Sequence, residues 1–152
     1  MTDKQIKEKI EQLKQACREK GLKVTPQRIA VYSELVTSDQ HPSAETLYEK
    51  VRRRFPNISL DTVNRTLQTL KDIGFAFVVE GTGGPRRFDA GMDTHQHLRC
   101  LKCRRIIDIN FEPYNQICLP DNLEGFKVLR KSIYIEGLCR ECNNDNSFKG
   151  EN

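Results

Sequence analysis

Four cysteines set the tightest limit on how this chain can fold. Cys100-Leu-Lys-Cys103 and Cys139-Arg-Glu-Cys142 are two C-x-x-C pairs with 35 residues between them. Each pair sets two thiolates on one tight turn, and two such turns close a tetrahedron around zinc. A single C-x-x-C fits a redox motif or chance, whereas two of them on short β-type runs fit a structural Zn2+ site. All four ligands would come from the protein and no coordination position stays open, so the site is expected to be structural rather than catalytic. Cys17 and Cys118 have no partner at ligand spacing and are expected to be buried or idle thiols.

Zinc at cysteines requires reduced thiols. The opening Met1-Thr-Asp-Lys-Gln-Ile-Lys-Glu8 lacks an apolar signal core, and no apolar run approaches a membrane span. The expectation is a cytoplasmic protein with no membrane partner, in a reducing compartment. With 37% hydrophobic and 30% charged residues in 152, the core must be modest, and a metal or a partner subunit is expected to supplement it.

Charge and chemistry are unevenly spread. Residues 1–90 hold 16 Lys and Arg against 12 Asp and Glu, and residues 91–152 hold 9 against 9, so the whole excess of the +4 chain lies in the first part. Five of the six cysteines lie in the second. The fold class expected is α+β: an N-terminal winged helix-turn-helix over 1–90, a hinge at 91–94, a small zinc-containing α/β domain over 95–145 and a polar tail at 146–152.

Periodicity supports that division. Ile6, Ile10, Leu13 and Cys17 recur at helical spacing within 4–20, and Gly21 ends the run. Thr25-Pro26 opens a second helix with a capping residue and a proline at the first helical position. Ser43 and Ser59 open a third and a fourth, closed by Pro56 and Gly74. Phe75–Glu80 and Arg86–Asp89 flank a Gly-rich turn and read as a hairpin. Helices followed by a hairpin make a winged helix-turn-helix. Later β-type runs at 97–101, 105–109 and 126–136 flank one possible helix at 113–119.

The apolar stripe of the fourth helix leaves Asn64, Arg65 and Gln68 outward. Asn and Gln pair bidentately with adenine and Arg with guanine in the major groove, and Arg86 and Arg87 beside the wing turn suit phosphates or a minor groove. A solvated helix face and a basic loop would have the same composition; it is the complete helix–helix–helix–hairpin pattern that favours double-stranded DNA.

Histidines are sparse: His41, His95 and His97. His95 and His97 share one face of an extended segment, with Cys100 on the opposite parity. An H-x-H pair beside a hinge suits a metal, and equally a capped surface position.

Taken together, Thr25-Pro-Gln-Arg28, His41-Pro-Ser-Ala44, Ser59-Leu-Asp-Thr-Val63, Arg87-Phe-Asp89, His95-Gln-His97 and the two cysteine pairs resemble the ferric uptake regulator (Fur) family, most of all its peroxide-responsive branch (PerR). The resemblance implies homodimers, with 95–145 as the dimerisation domain, that repress transcription at AT-rich palindromic operators when a divalent metal is bound. It implies a regulatory Fe2+ or Mn2+ site of three histidines and two aspartates, at positions matched here by His41, Asp89, His95, His97 and Asp108. It implies release by peroxide through metal-catalysed oxidation of a ligand histidine, with no other small-molecule substrate. The alternative on the same scaffold is a sensor of iron or zinc availability. Two departures stand out: Asn64 occupies a position where Tyr is usual, and Val128-Leu-Arg-Lys-Ser132 lacks a histidine that many members carry, so a further histidine-dependent site is not expected. A metal-dependent hydrolase would need a nucleophile or spare general base that no motif supplies, so an enzyme is not expected. A zinc-stabilised interaction module would leave the outward Asn64, Arg65 and Gln68 unexplained.

Overall fold

A computed structural model describes residues 2–79, 84–91, 95–120, 123–128 and 131–144. The expected wing tip at 80–83, most of the hinge (92–94) and the tail beyond 144 lie outside the described residues. The chain divides into two compact units, Met1–Met92 and Asp93–Asn152.

In the first unit, α1 (Asp3–Glu19), α2 (Pro26–Val36), α3 (Ala44–Val51) and α4 (Leu60–Asp72) precede a two-stranded antiparallel sheet of β1 (Phe77–Val79) and β2 (Arg87–Asp89). Thr25, Ser43 and Ser59 cap α2, α3 and α4, their hydroxyls accepting from the N–H groups of Arg28, Thr46 and Thr62. Each bond satisfies a donor that the first helical turn leaves without an intrahelical partner. Gly74 ends α4 at φ 82°, a conformation open to glycine at little cost, and the Phe75 N–H returns to the Leu70 carbonyl at 2.7 Å.

The apolar faces of these helices meet in one core. Leu13, Val31, Tyr32, Leu47, Val63 and Leu70 are fully shielded from water, with Leu35, Val51 and Leu67 nearly so. Phe75 lies edge-on to Tyr32, ring centroids 5.7 Å apart. Cys17 is among the shielded residues and packs as a small hydrophobe. Burial inward leaves α4 with one continuous polar face.

The second unit is a three-stranded sheet in the order β4 (Ile106–Ile109), β3 (Gln96–Cys100), β5 (Tyr134–Gly137), with one-turn helices α5 (Glu112–Asn115) and α6 (Arg140–Asn143). β3 and β4 are antiparallel with His97 opposite Asp108; β3 and β5 are parallel with His97 opposite Tyr134. The expected run at 126–136 is shorter in fact, its strand beginning at Tyr134. The expected helix at 113–119 is a single turn that begins one residue earlier, with Pro113 in its opening positions. Cys118 is exposed, its thiol donating to the Gln116 carbonyl.

Candidate metal centres and DNA-reading face

The four ligand cysteines converge in the second unit. Cys100 ends β3, Cys103 lies on the turn into β4, Cys139 immediately precedes α6 and Cys142 lies within it, and the Asn143 N–H donates to the Cys139 carbonyl at 2.8 Å. Their sulfurs all lie within 4.8 Å of one another, and those of Cys103 and Cys139 are 3.8 Å apart. A tetrahedral zinc bonded at ~2.3 Å places its sulfurs ~3.8 Å apart, so the donor set fits the ion in kind and size.

The environment favours the thiolate at Cys100. Burial opposes ionisation of Cys100, yet the N–H groups of Cys139, Cys103 and Lys102, with the Cys103 thiol, outweigh it together and hold the thiol at about 6. The Cys139 N–H lies 3.4 Å from the Cys100 sulfur. Cys142 moves the other way, to about 12, first because it is hydrogen-bonded to Cys139, then because of burial and the remaining sulfurs. Four sulfurs this close repel once ionised, and a divalent cation among them allows all four to ionise.

The histidines fall into two groups, one per unit. In the second unit, His95 and His97 turn the same ring edge to one point, their Nε2 atoms 3.1 Å apart. Asp108, delivered by the β3–β4 register, brings Oδ1 to 3.8 Å from His95 Nε2 and 3.5 Å from His97 Nε2. Two imidazole nitrogens at right angles on a metal ~2.1 Å away stand ~3 Å apart, so the pair with its carboxylate suits a first-row divalent ion. In the first unit, a ring nitrogen of His41 and a carboxylate oxygen of Asp89 lie within 4.8 Å of each other. The Phe88 N–H donates to the Pro42 carbonyl at 3.0 Å, and Ser43 bridges to Arg87, so residues 42–43 run along β2. Asp89 also accepts from the Gly91 N–H at 2.6 Å.

Gln96, between the two histidines, is a residue that the sequence reading missed. It faces the other side of β3 and is 1% exposed. Its Oε1 accepts from the Phe111 N–H at 2.9 Å and its amide donates to Asn115 Oδ1 at 2.5 Å. The strand that carries the histidines is thereby tied to the segment that follows Asp108. Strand parity alone pointed to this: one polar residue between two ligands must face away from them.

On α4, Asn64, Arg65 and Gln68 line a groove of about 450 Å³ together with Lys71, Arg86 and Glu45. Lys71 and Glu45 extend the face beyond the residues expected from sequence. These three side chains are held within the helix: Asn64 Nδ2 donates to the Leu60 carbonyl at 3.2 Å, Arg65 pairs with Asp61 at 2.9 Å, and Gln68 donates to Asp72 at 2.6 Å. Arg87 differs from its neighbour. Its guanidinium donates to the main-chain carbonyls of Gln40, at 2.7 Å, and His41.

The ferric uptake regulator family model matches residues 19–136, spanning the capped helices, β2, the H-x-H segment and the first cysteine pair. The chain belongs to the ferric uptake regulator family. Its members are DNA-binding transcription regulators rather than enzymes, and this chain is a metal-binding regulator of that kind. It is 33% identical over 141 residues to the peroxide-responsive repressor PerR of Staphylococcus epidermidis, which covers 92% of this chain and 91% of that protein. Among solved structures, the ferric uptake regulator Fur of Helicobacter pylori aligns with a TM-score of 0.75 at 27% identity, over 93% of this chain and 96% of that one. The peroxide stress regulator of Campylobacter jejuni aligns at 0.64 and 27%, over 88% and 98%. The fold is accordingly the family's α+β arrangement of an N-terminal helical DNA-binding domain and a C-terminal dimerisation domain. No helix among the described residues is long and apolar enough to cross a membrane.

Proposed function

We propose that the chain is a homodimeric cytoplasmic repressor that binds double-stranded operator DNA when Fe2+ or Mn2+ is bound, and that peroxide releases it. The observation that carries the reading is the convergence of His95, His97 and Asp108 on one point, at distances that suit a first-row ion. His41 and Asp89 supply the remaining ligands from the other unit. One ion held by both groups favours the arrangement of the two units that it can bridge, and this differential affinity is the coupling to DNA. Five protein ligands leave a coordination position accessible to an oxidant.

Bound ferrous iron supplies the one-electron chemistry that cleaves the peroxide O–O bond. The protein's part is to hold oxidisable imidazole carbons beside it. In the net reaction peroxide gives one oxygen atom to a histidine ring and leaves as water. A ring so altered is a poorer ligand, the two units are no longer held together, and the operator is released. The four-cysteine zinc stays closed to this chemistry. In the DNA complex, Asn64, Arg65 and Gln68 read bases and Arg86 binds the backbone.

Peptide mass spectrometry beside a gel shift tests the reading. Peroxide should add one oxygen to His41 or His95 of the ferrous protein and abolish its DNA complex, while the Mn2+ form stays unmodified and bound. Asp108→Glu lengthens one ligand and should blunt the oxidation while keeping metal-dependent DNA binding. A ferrous protein that keeps both its histidines and its operator after peroxide is instead a sensor of iron or zinc availability. The likeness to the H. pylori Fur and to the C. jejuni peroxide regulator, at 27% identity each, fits both readings.

A further inference from the structure

We infer that Arg87 is a positioning residue for His41, and that the two adjacent arginines of the wing divide their work: Arg86 toward DNA, Arg87 toward the metal ligand. The inference rests on the regulatory site proposed above. The carbonyls that accept from Arg87 belong to Gln40 and His41. They head the two peptide planes on either side of the His41 Cα. The first plane is set relative to that Cα by φ and the second by ψ, so one rigid planar fork gripping both carbonyls fixes both torsions of His41. The grip is needed because His41 has φ 47°, in the left-handed region that residues with a Cβ enter at a cost. A clamp at the backbone sets the direction of the Cα–Cβ bond and so the volume in which the imidazole moves.

The strand context agrees. Arg87 and Asp89 are two apart on β2 and share one face, so the same strand face presents the clamp and the carboxylate that lies within 4.8 Å of His41. The Phe88 N–H to the Pro42 carbonyl and the Ser43–Arg87 bridge continue the attachment along the segment. Arg86, of opposite parity, is exposed and lines the groove with Asn64, Arg65 and Gln68. Lysine replaces Arg87 only in part, since a single ammonium carries the charge without the planar fork.

The test uses the full-length, zinc-loaded protein and Mn2+ as the probe. Mn2+ is titrated without DNA into the wild type and into Arg86→Ala, Arg87→Ala, Arg87→Lys and His41→Ala. Operator affinity is then measured at saturating Mn2+ across salt concentrations. Hydrogen exchange at the Phe88 amide is followed in protein holding zinc alone. The clamp predicts that Arg87→Ala weakens Mn2+ binding about ten- to a hundredfold. Arg87→Lys should recover only part of it, and Arg86→Ala none of the defect. Arg87→Ala should speed Phe88 exchange, and at saturating Mn2+ it should bind operator with an unchanged salt slope. Arg86→Ala should lower that slope by about one. Wild-type Mn2+ affinity in Arg87→Ala with a salt slope lowered by about one would make Arg87 a phosphate contact and overturn the inference. Should the alanine variant lose its fold, Arg87→Lys carries the same test, because it keeps the charge that a phosphate contact needs. If His41→Ala retains Mn2+ affinity, the regulatory-site reading falls by itself. The clamp is then judged on Phe88 exchange, where wild-type protection in Arg87→Ala overturns it.

Discussion

The two units are held together by different forces. Every residue of the main hydrophobic cluster lies between Leu13 and Ala90, in the first unit. Among the described residues of the second unit, only Cys100 and Ile106 are buried apolar side chains, while Ile107, Phe111, Ile117 and Phe126 stand exposed, Phe126 at 74%. The first unit is stabilised by removing apolar surface from water. The second has hardly any such surface to remove within itself. At the ends of its strands stand four cysteines that fit a structural zinc, polar ties such as Gln96 join the strands, and its exposed apolar residues suit burial against a second copy. Within one short chain, packing supports the DNA-binding domain, and zinc coordination is the expected support of the dimerisation domain.

The largest expected effect breaks that comparison directly. Cys139→Ser takes one thiolate from a closed tetrahedron, where zinc affinity is folding free energy on the order of ten kcal/mol. Zinc content should fall to background and the dimer should dissociate in sedimentation, while most of the helical circular dichroism, which comes from α1–α4, persists. A zinc-free Cys139→Ser protein that remains a folded dimer would refute the coordination argument.

Leu47→Ala attacks the other unit. Removing a side chain with no exposed surface leaves a cavity in a close-packed core, at a cost of about 2–5 kcal/mol. The urea midpoint of the helical signal should drop accordingly, with zinc content unchanged. Loss of zinc in this variant would mean that the units do not stand on separate supports.

Much of the first unit was legible because its signals are local. Thr25, Ser43 and Ser59 each announce a helix start within four residues, and Gly74 marks a stop through a conformation that other residues avoid. The second unit was legible in its cysteine pairs and little else. β5 is joined to β3 by a parallel pairing between residues more than thirty apart, which no local pattern announces. α6, which follows Cys139 and contains Cys142, is a single turn and too short to show a helical period. Arg87 shows the same limit at a single residue. Composition put both arginines on DNA, and only the place of Gln40 and His41 beside β2 distinguishes them.

Two smaller changes refine the picture of the DNA-reading unit. Arg65→Ala should weaken operator binding and relax sequence preference by ~1–3 kcal/mol without altering zinc content or the melt. Fluorescence anisotropy on matched and mismatched duplexes measures it, and an unchanged preference would remove Arg65 from base reading. Ser59→Ala deletes the cap of α4 and should cost ~1 kcal/mol of stability in the same urea melt. If it also lowers zinc content, the division between packing and coordination is less sharp than the core implies.

The polar face of α4 has one further consequence. Asn64, Arg65 and Gln68 each have a resting partner within four residues, so contact with a base is an exchange of bonds rather than the gain of one. In the proposed complex a correct base contributes only its margin over that resting bond. An incorrect base is penalised less too, because the side chain can return to its own helix instead of being stranded without a partner. If these side chains do read bases, such a fallback would grade operators by affinity rather than divide them into sites and non-sites.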